Sequence, residues 1–312
     1  MKRLIEAVAA GLAGPCTDSR RLFHGRGHTY KGLEGVNVDV HPPLLLVTLY
    51  SELAADAYRL MIDGLTPLLV LGEPLLVQRR YLPRAPSELI CGELPEQLYA
   101  RHGDLRYLLS VGVNQNVGYF LDMKPTHQWL AERAKGLSIL NLFSYTCAFS
   151  VNAIAAGARS VVNIDMSGAV LKTGQRNHAL NQLDGRASRF MKLNILKSWG
   201  RIKKTGPFDI VIIDPPSNQR GSFMAETDYE KVLRRIPQLV KPGGMVLACL
   251  NAPHLPPQFL QQKMQQNCPE CVFEQRLPAS AEFPELEPER SLKAMVFRYQ
   301  GPTEERAAQE IG

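Results

Sequence analysis

Three short apolar runs, each reaching a polar residue at its end, constrain this chain most. Ser138-Ile139-Leu140-Asn141-Leu142-Phe143 runs into the turn Ser144-Tyr145-Thr146. Ser160-Val161-Val162-Asn163-Ile164-Asp165 ends in a carboxylate. Phe208-Asp209-Ile210-Val211-Ile212-Ile213-Asp214 ends in another, followed at once by Pro215-Pro216. Such runs, rich in β-branched residues, read as buried strands. In an open parallel sheet their carboxyl ends line one edge, and ligands bind at that edge.

The surrounding pattern fits such a sheet. Strands at 138–143, 160–165, 187–193, 208–213 and 244–250 alternate with helices near 148–156, 167–181, 195–203 and 228–240. That alternation predicts a doubly wound α/β domain. Lys241-Pro242-Gly243-Gly244 turns into the fifth strand, and 273–277 with 293–299 form a closing antiparallel pair. Ahead of the sheet, 105–113 and 116–121 read as a hairpin turning at Asn114-Gln115, and 126–135 as a helix. Residues 1–103 read as a smaller α/β domain, and 104–312 as the larger one. In the first, strands at 36–40 and 44–50 flank His41-Pro42-Pro43, and a helix over 51–63 is closed by Gly64. Further strands at 68–71 and 75–78 flank Gly72-Glu73-Pro74, and the proline-rich 81–95 is a connection.

Composition excludes several classes. A chain of 312 residues is long enough for two real cores. No run approaches the ~20 apolar residues of a membrane span, and Glu6 falls too early for a secretory leader. The expectation is a cytoplasmic protein with no membrane partner. Six scattered cysteines are too few for a disulfide scaffold. Cys268 and Cys271 have metal-type spacing but no second ligand pair nearby, so no metal is expected. A net charge of +6 suits a polyanionic partner such as RNA. Basic pairs such as Arg20-Arg21, Arg79-Arg80 and Lys203-Lys204 are equally what a solvated surface carries.

Asp165 stands 21 residues after Ser144, the spacing from a nucleotide-binding turn to its ribose acid. A carboxylate accepts from both ribose hydroxyls in charge-assisted bonds. The alternative role is a helix cap, since Asp165-Met166-Ser167 opens a helix. The turn Phe143 to Phe149 has no glycine, which speaks against a pyrophosphate and hence against a nicotinamide oxidoreductase. Cys147 sits where a helix N-terminus would depress a thiol pKa, or it fills a glycine's place. Asn194 ends the third strand, either reading an adenine edge or capping the next helix.

Asp214-Pro215-Pro216 is the sharpest motif. Two prolines remove two donors and fix the chain's direction, leaving outward carbonyls to hold a planar base. Asp214 and Pro215 are therefore the catalytic candidates, in a methyl transfer where positioning supplies most of the rate. Ser217 stands where amine-methylating enzymes place an aromatic residue. Cys249 would matter for cytosine-5 methylation, which needs a thiolate, but it lies inside its strand and is expected to be buried; Asn251 shares its face nearer the end.

With these motifs the sequence resembles the RlmI/RlmK-like class I SAM-dependent methyltransferases, among them bacterial 23S rRNA methyltransferases. The match runs through Asn116 to Lys124, Asn141 to Thr146, Asp165 to Ser167 and Asp214 to Pro216, and more faintly through Gly32 to Asp39. The resemblance implies a Rossmann-like, seven-stranded methyltransferase sheet behind a small α/β domain, with S-adenosyl-L-methionine (SAM) as cofactor. It implies cofactor contacts from Phe120, Asp122, Asn141, Phe143, Tyr145, Thr146, Asp165, Met166, Asn194 and Asp214. It suggests that Phe120-Leu121-Asp122 folds over the cofactor. Three positions depart from the family pattern: Cys147 for glycine, Asn194 for an acid, and Asn251 for the cytosine-5 nucleophile, where the guanine-N7 type is closer. The PUA-like RNA-binding module of some members is not expected here. The function implied is methylation of a ribosomal RNA base, at nitrogen rather than cytosine C5. Methylation of a protein or small molecule, or RNA binding without catalysis, are the alternatives.

Overall fold

A computed structural model describes residues 1–14, 17–112, 115–216, 218–219 and 223–302. Asn114 and Ser217 therefore lie outside the described residues. The chain divides into two units, Met1–Lys124 with Ser280–Pro288, and Pro125–Ala279 with the chain from Glu289. The division thus falls after Lys124, where the sequence suggested residue 103. A late segment joins the first unit because its acids are used there. Glu282 accepts from the Arg21 amide (3.0 Å) and the Lys124 ammonium (2.9 Å), and the Phe283 ring packs on His24.

The first unit holds a five-stranded sheet in the order β1 (Arg20–His24), β2 (Val36–His41), β3 (Leu44–Leu49), β4 (Leu75–Arg79), β5 (Ser87–Cys91). Only β3 and β4 run parallel, joined by helix α2 (Ala55–Leu65). Helix α1 (Lys2–Leu12) packs on β1 and α2. Val36, Val38, Val40, Leu45, Val47 and Leu49 form the core beneath these helices. A hairpin, β6 (Leu98–His102) and β7 (Leu105–Leu109), turns at Gly103-Asp104. Beyond it the Ser110 amide donates to the Val117 carbonyl (2.8 Å), across the turn expected at Asn114-Gln115.

Four expectations fail here for local reasons. Residues 68–71 form no strand: Leu68 ends a tight turn, and Val70 and Leu71 stand exposed. The 81–95 connection contains β5. Gly64 lies inside α2 and does not close it. A Cβ there would lie 2.2 Å from Ile5 Cδ1, so the glycine lets α1 and α2 approach. Lys241 to Gly244 lie within the fifth strand, where the register shifts, and do not precede it.

The second unit starts at Pro125, within α3 (Lys124–Ala131), and holds a seven-stranded sheet. Its strands in chain order are β8 (Ser138–Leu142), β9 (Ser160–Asp165), β10 (Ser188–Lys192), β11 (Phe208–Ile213), β14 (Val240–Leu250), β15 (Cys271–Arg276) and β16 (Lys293–Tyr299). They lie side by side as β10-β9-β8-β11-β14-β16-β15, with β16 antiparallel to both neighbours. This is the Rossmann-like class I methyltransferase arrangement, with the expected closing pair. Connecting helices are α4 (Ala148–Ala155), α5 (Gly168–Leu180), α6 (Trp199–Ile202), α7 (Ala225–Leu233) and α8 (Pro257–Asn267). A two-residue ladder, β12 (Asn218–Gln219) with β13 (Phe223–Met224), precedes α7.

Alternation sorts the two faces. Leu140, Leu142, Val211, Ile213, Val246 and Ala248 join α7 and α8 residues in one apolar core. On the other face Asn141 Nδ2 donates to Asn163, Asn163 to Ser150 of α4, and Ser150 Oγ meets His178 of α5, each at 2.9 Å.

The sheet order reverses beside β8, so the switch point lies at the carboxyl ends of β8 and β11. The opposite edge is pinned by charge. Asp209 accepts from the Ser138 amide and hydroxyl (2.8 and 2.7 Å) and from Lys241 (2.7 Å). Burial alone would raise its pKa, but the Lys241 and Ser138 bonds outweigh that and hold it at about 2. A depressed carboxylate stabilises the fold above its unfolded pKa near 4, and that contribution is lost as pH falls toward 2. Asp209→Asn is expected to lower stability at pH 7 but not at pH 2, so the wild-type advantage in a urea titration shrinks between pH 4 and 2. An advantage independent of pH would show that the charge contributes nothing. Among the described residues no helix is long and apolar enough to cross a membrane.

Candidate functional site

The carboxyl-end rim starts with the turn after β8. Phe143, Tyr145 and Cys147 all have left-handed backbones, with φ of 58°, 47° and 61°. They are three of the seven such non-glycine residues described, so unfavourable conformation is concentrated in one five-residue turn. What holds it is β9. The Ser144 amide donates to the Ile164 carbonyl (3.0 Å), and the Tyr145 amide to Asp165 Oδ2 (3.0 Å). Asp165 Oδ1 accepts from the Ser167 amide (2.8 Å).

Asp165 thus fastens the turn to the start of α5, yet stays partly exposed. Its pKa is raised by burial, against the pull of the Ser167, Tyr145 and Met166 amides. Capping of α5 falls instead to Ser167, whose Oγ accepts from the Val170 amide. A carboxylate has about four acceptor positions, so these amides leave it capacity to accept from a ribose hydroxyl. Met166, next along, is 46% exposed and offers an apolar surface beside that carboxylate.

Cys147 is fully buried, and burial pushes its thiol up to about 12 despite the Ser144 contact. The helix-end activation therefore does not occur; Cys147 fills a glycine's place. Room for it comes from α5, where a Cβ on Gly174 would lie 2.5 Å from the Cys147 sulfur. The turn keeps a glycine's backbone shape without the glycine.

Asn194 follows β10. Its side chain makes no capping bond to the short helix it opens, which removes the cap alternative and leaves the amide at the rim. The Leu193 amide donates to the Asp165 carbonyl (2.9 Å), tying this strand end to the previous one.

Asp214 ends β11, half-buried, with Pro215 buried behind it. Beneath lies a residue the sequence reading missed. The Tyr229 hydroxyl on α7 donates to the carbonyls of Cys249 (2.6 Å) and Ile213 (3.3 Å), joining the ends of β14 and β11. Burial, Cys249 and Asp214 all raise its pKa, so it stays protonated. The only available signal was a tyrosine on the apolar face of a helix, where a buried hydroxyl needs a partner. Phe143 turns its ring into this support, meeting Phe223 edge-on at 5.1 Å. At the end of β14, Cys249 is fully buried and Asn251 is exposed.

The rim therefore brings together Tyr145, Asp165, Met166, Asn194, Asp214 and Pro215. It does not include the side chain of Asn141, which is 1% exposed and donates to Asn163 beneath the sheet. Strand alternation turns Asn141 toward the α4 and α5 face, where it supports the rim. Thr146 is likewise buried, its carbonyl bound by Asn177 (3.0 Å). Phe120 and Asp122 belong to the first unit; Phe120 is 41% exposed, and burial raises the Asp122 carboxyl above its ordinary range despite Arg21. Cys268 and Cys271 bring their sulfurs to 3.4 Å, with no group of three potential metal ligands among the described residues.

These residues fit SAM: an acid for a ribose diol, an exposed apolar side chain next to it, and an amide that makes no capping bond. The ribosomal RNA large subunit methyltransferase I of Erwinia tasmaniensis is 28% identical over 241 residues, covering 74% of this chain and 60% of that protein. A K/L-type large subunit methyltransferase of Syntrophotalea carbinolica is 33% identical over 157 residues, 49% of this chain and 22% of that one. The chain thus spans about three fifths, or about a fifth, of the curated relatives it matches. A solved structure described as a methyltransferase complexed with SAH has a TM-score of 0.84 at 21% identity, covering 95% of this chain and 81% of that one. A SAM-dependent methyltransferase from Streptococcus mutans gives 0.82 at 21% identity, with the same coverages of 95% and 81%, and both likenesses concern the fold. The profile of the S-adenosylmethionine-dependent methyltransferases matches residues 20–298, and the chain belongs to that family.

Proposed function

We propose that this chain methylates a base of large-subunit ribosomal RNA, at a ring nitrogen rather than at cytosine C5. The observation that carries the choice of atom is the end of β14. Cytosine-5 chemistry needs a thiolate at the rim, and here the thiol of Cys249 is fully buried while Asn251 takes the exposed position. The substrate class is supported by the relatives, which are named as large subunit rRNA methyltransferases.

SAM, when bound, supplies an electrophilic methyl group. The chain's own residues do the rest by placement. Asp165 accepts from the ribose hydroxyls, Asn194 reads the adenine edge, and Met166 covers its face. Asp214 and the Pro215 carbonyl hold the edge of the acceptor base. A base within structured RNA is turned out of its stack to reach them. A guanine N7 lone pair is already nucleophilic, so this target needs positioning and little proton transfer. The strained turn and Tyr229 keep the rim in shape before any ligand arrives.

Mass spectrometry of rRNA nucleosides from cells with and without the gene tests this directly. The expected result is loss of one N-methylated nucleoside. Loss of 5-methylcytosine would overturn the choice of atom, and an unchanged rRNA profile would overturn the substrate class.

A further inference from the structure

The chain's positive charge is not spread over its surface. Between the start of α5 and the start of β11, residues 168–207 carry nine basic side chains and one acid, Asp184. The remaining chain carries 27 basic against 29 acidic residues, so this one segment accounts for the whole net charge of +6. All nine are exposed: Lys172 and Arg176 on α5, Arg186, Arg189 and Lys192 in and before β10, and four more from Lys197 to Lys204. Among the described residues none of them forms an ion pair. Elsewhere several basic residues are neutralised, as in Lys241 with Asp209, Lys231 with Asp228 and Arg298 with Glu274. The lone acid of the segment is used on backbone, since Asp184 accepts from the Arg186 amide (2.9 Å).

Topology gathers five of them, Lys172, Arg176, Arg186, Arg189 and Lys192, into one band, while the chain from Lys197 crosses toward β11, where Arg235 lies over the Trp199 ring. β10 is the outer strand of the sheet, paired only with β9. Phe190 packs on His178 of α5, so Phe190 and Lys192 face α5, and alternation turns Arg189 to the other face. The band thus wraps both faces of one edge. It also reaches the site, because Lys192 lies in register with Asp165.

Edge strands often carry charge simply to block pairing with other chains. That need is met by a few charges of either sign, and it gives no reason for five exposed positive charges without an ion pair, two of them on α5. An unpaired cationic band is costly to gather unless an anion meets it.

We infer that the β10 edge of the second unit is the docking surface for the RNA backbone, delivering the acceptor base to the adjoining rim. The inference rests on the reading of RNA as substrate. Phosphates are neutralised along the band, which fixes the register of the strand without reading sequence.

The test uses the full chain, in-vitro-transcribed 23S rRNA and SAM. Lys172→Gln, Arg176→Gln and Arg189→Gln together remove charge from α5 and β10 and touch no rim residue. Arg3→Gln, Lys31→Gln and Arg59→Gln together make the same charge change at exposed positions of the first unit. The edge variant is expected to bind the transcript at least about tenfold more weakly near 0.1 M salt, with the salt slope reduced by about 2. The control is expected to change less than about threefold, and SAM affinity to be equal in all three proteins. Equal losses in the two variants would overturn the inference, since net charge alone would then explain binding. A wild-type chain that binds SAM but not the transcript would overturn the substrate reading and the docking surface with it. Strong wild-type binding untouched by the edge variant would overturn the surface alone.

Discussion

Replacing Asp165 with alanine is expected to weaken SAM binding about 30- to 700-fold, or ~2–4 kcal/mol, in calorimetric titration. Two losses add. Charged acceptors for two ribose hydroxyls disappear. The Tyr145 and Ser167 amides, now bound at 3.0 and 2.8 Å, lose their partner, and the left-handed turn loses its anchor. Asp165→Asn separates the two. Its oxygen can still accept one amide, but its NH2 group opposes the other, so affinity is expected between wild type and alanine. Ser167→Ala leaves the carboxylate in place and should lower stability slightly through the lost cap, with affinity unchanged. Equal SAM affinities in Asp165→Ala and wild type would remove Asp165 from the site.

What the sequence disclosed about this rim follows from how local each signal is. The strands 160–165 and 208–213 were readable to the residue, because an apolar β-branched run bounded by polar residues is a local pattern. Asp165 and Asp214 then followed from position at a strand end. The surroundings of Asn141 are not local: the same strand that carries the turn buries this amide against Asn163. Tyr229 was invisible for a related reason, since its partners are the carbonyls of strands 16 and 20 residues away.

The first unit shows the same limit. Val36 to Val40 alternates as a strand should, yet its polar residues Asn37 and Asp39, with His41 after them, are all buried. Arg21, opposite Asp39 in register on β1, satisfies that carboxylate, and β6 packs close to β2. Nothing near β2 in sequence announces either partner. The return of residues 280–288, far along the chain, to the first unit has no local signal either.

Gly174→Ala is expected to destabilise the chain by ~1–3 kcal/mol, although alanine is the better helix former. The added methyl would sit 2.5 Å from the Cys147 sulfur and 3.4 Å from the Thr146 carbonyl, so the turn would have to move. Cys147→Gly alone should be close to neutral. Glycine accepts φ near 61° without strain, but the departing thiol leaves a small cavity beside α5. The two changes together should regain most of the loss, with a coupling of at least ~1 kcal/mol in urea unfolding. SAM affinity should follow the same cycle, falling in Gly174→Ala and recovering in the double variant, because the displaced turn carries the Tyr145 amide that orients Asp165. Recovery of both quantities would mean that a cysteine at position 147 is compatible with binding because a helix one layer away is indented to receive it. Simple additivity would mean that the sulfur and the glycine do not constrain each other, and the turn would need another account of how it keeps its shape.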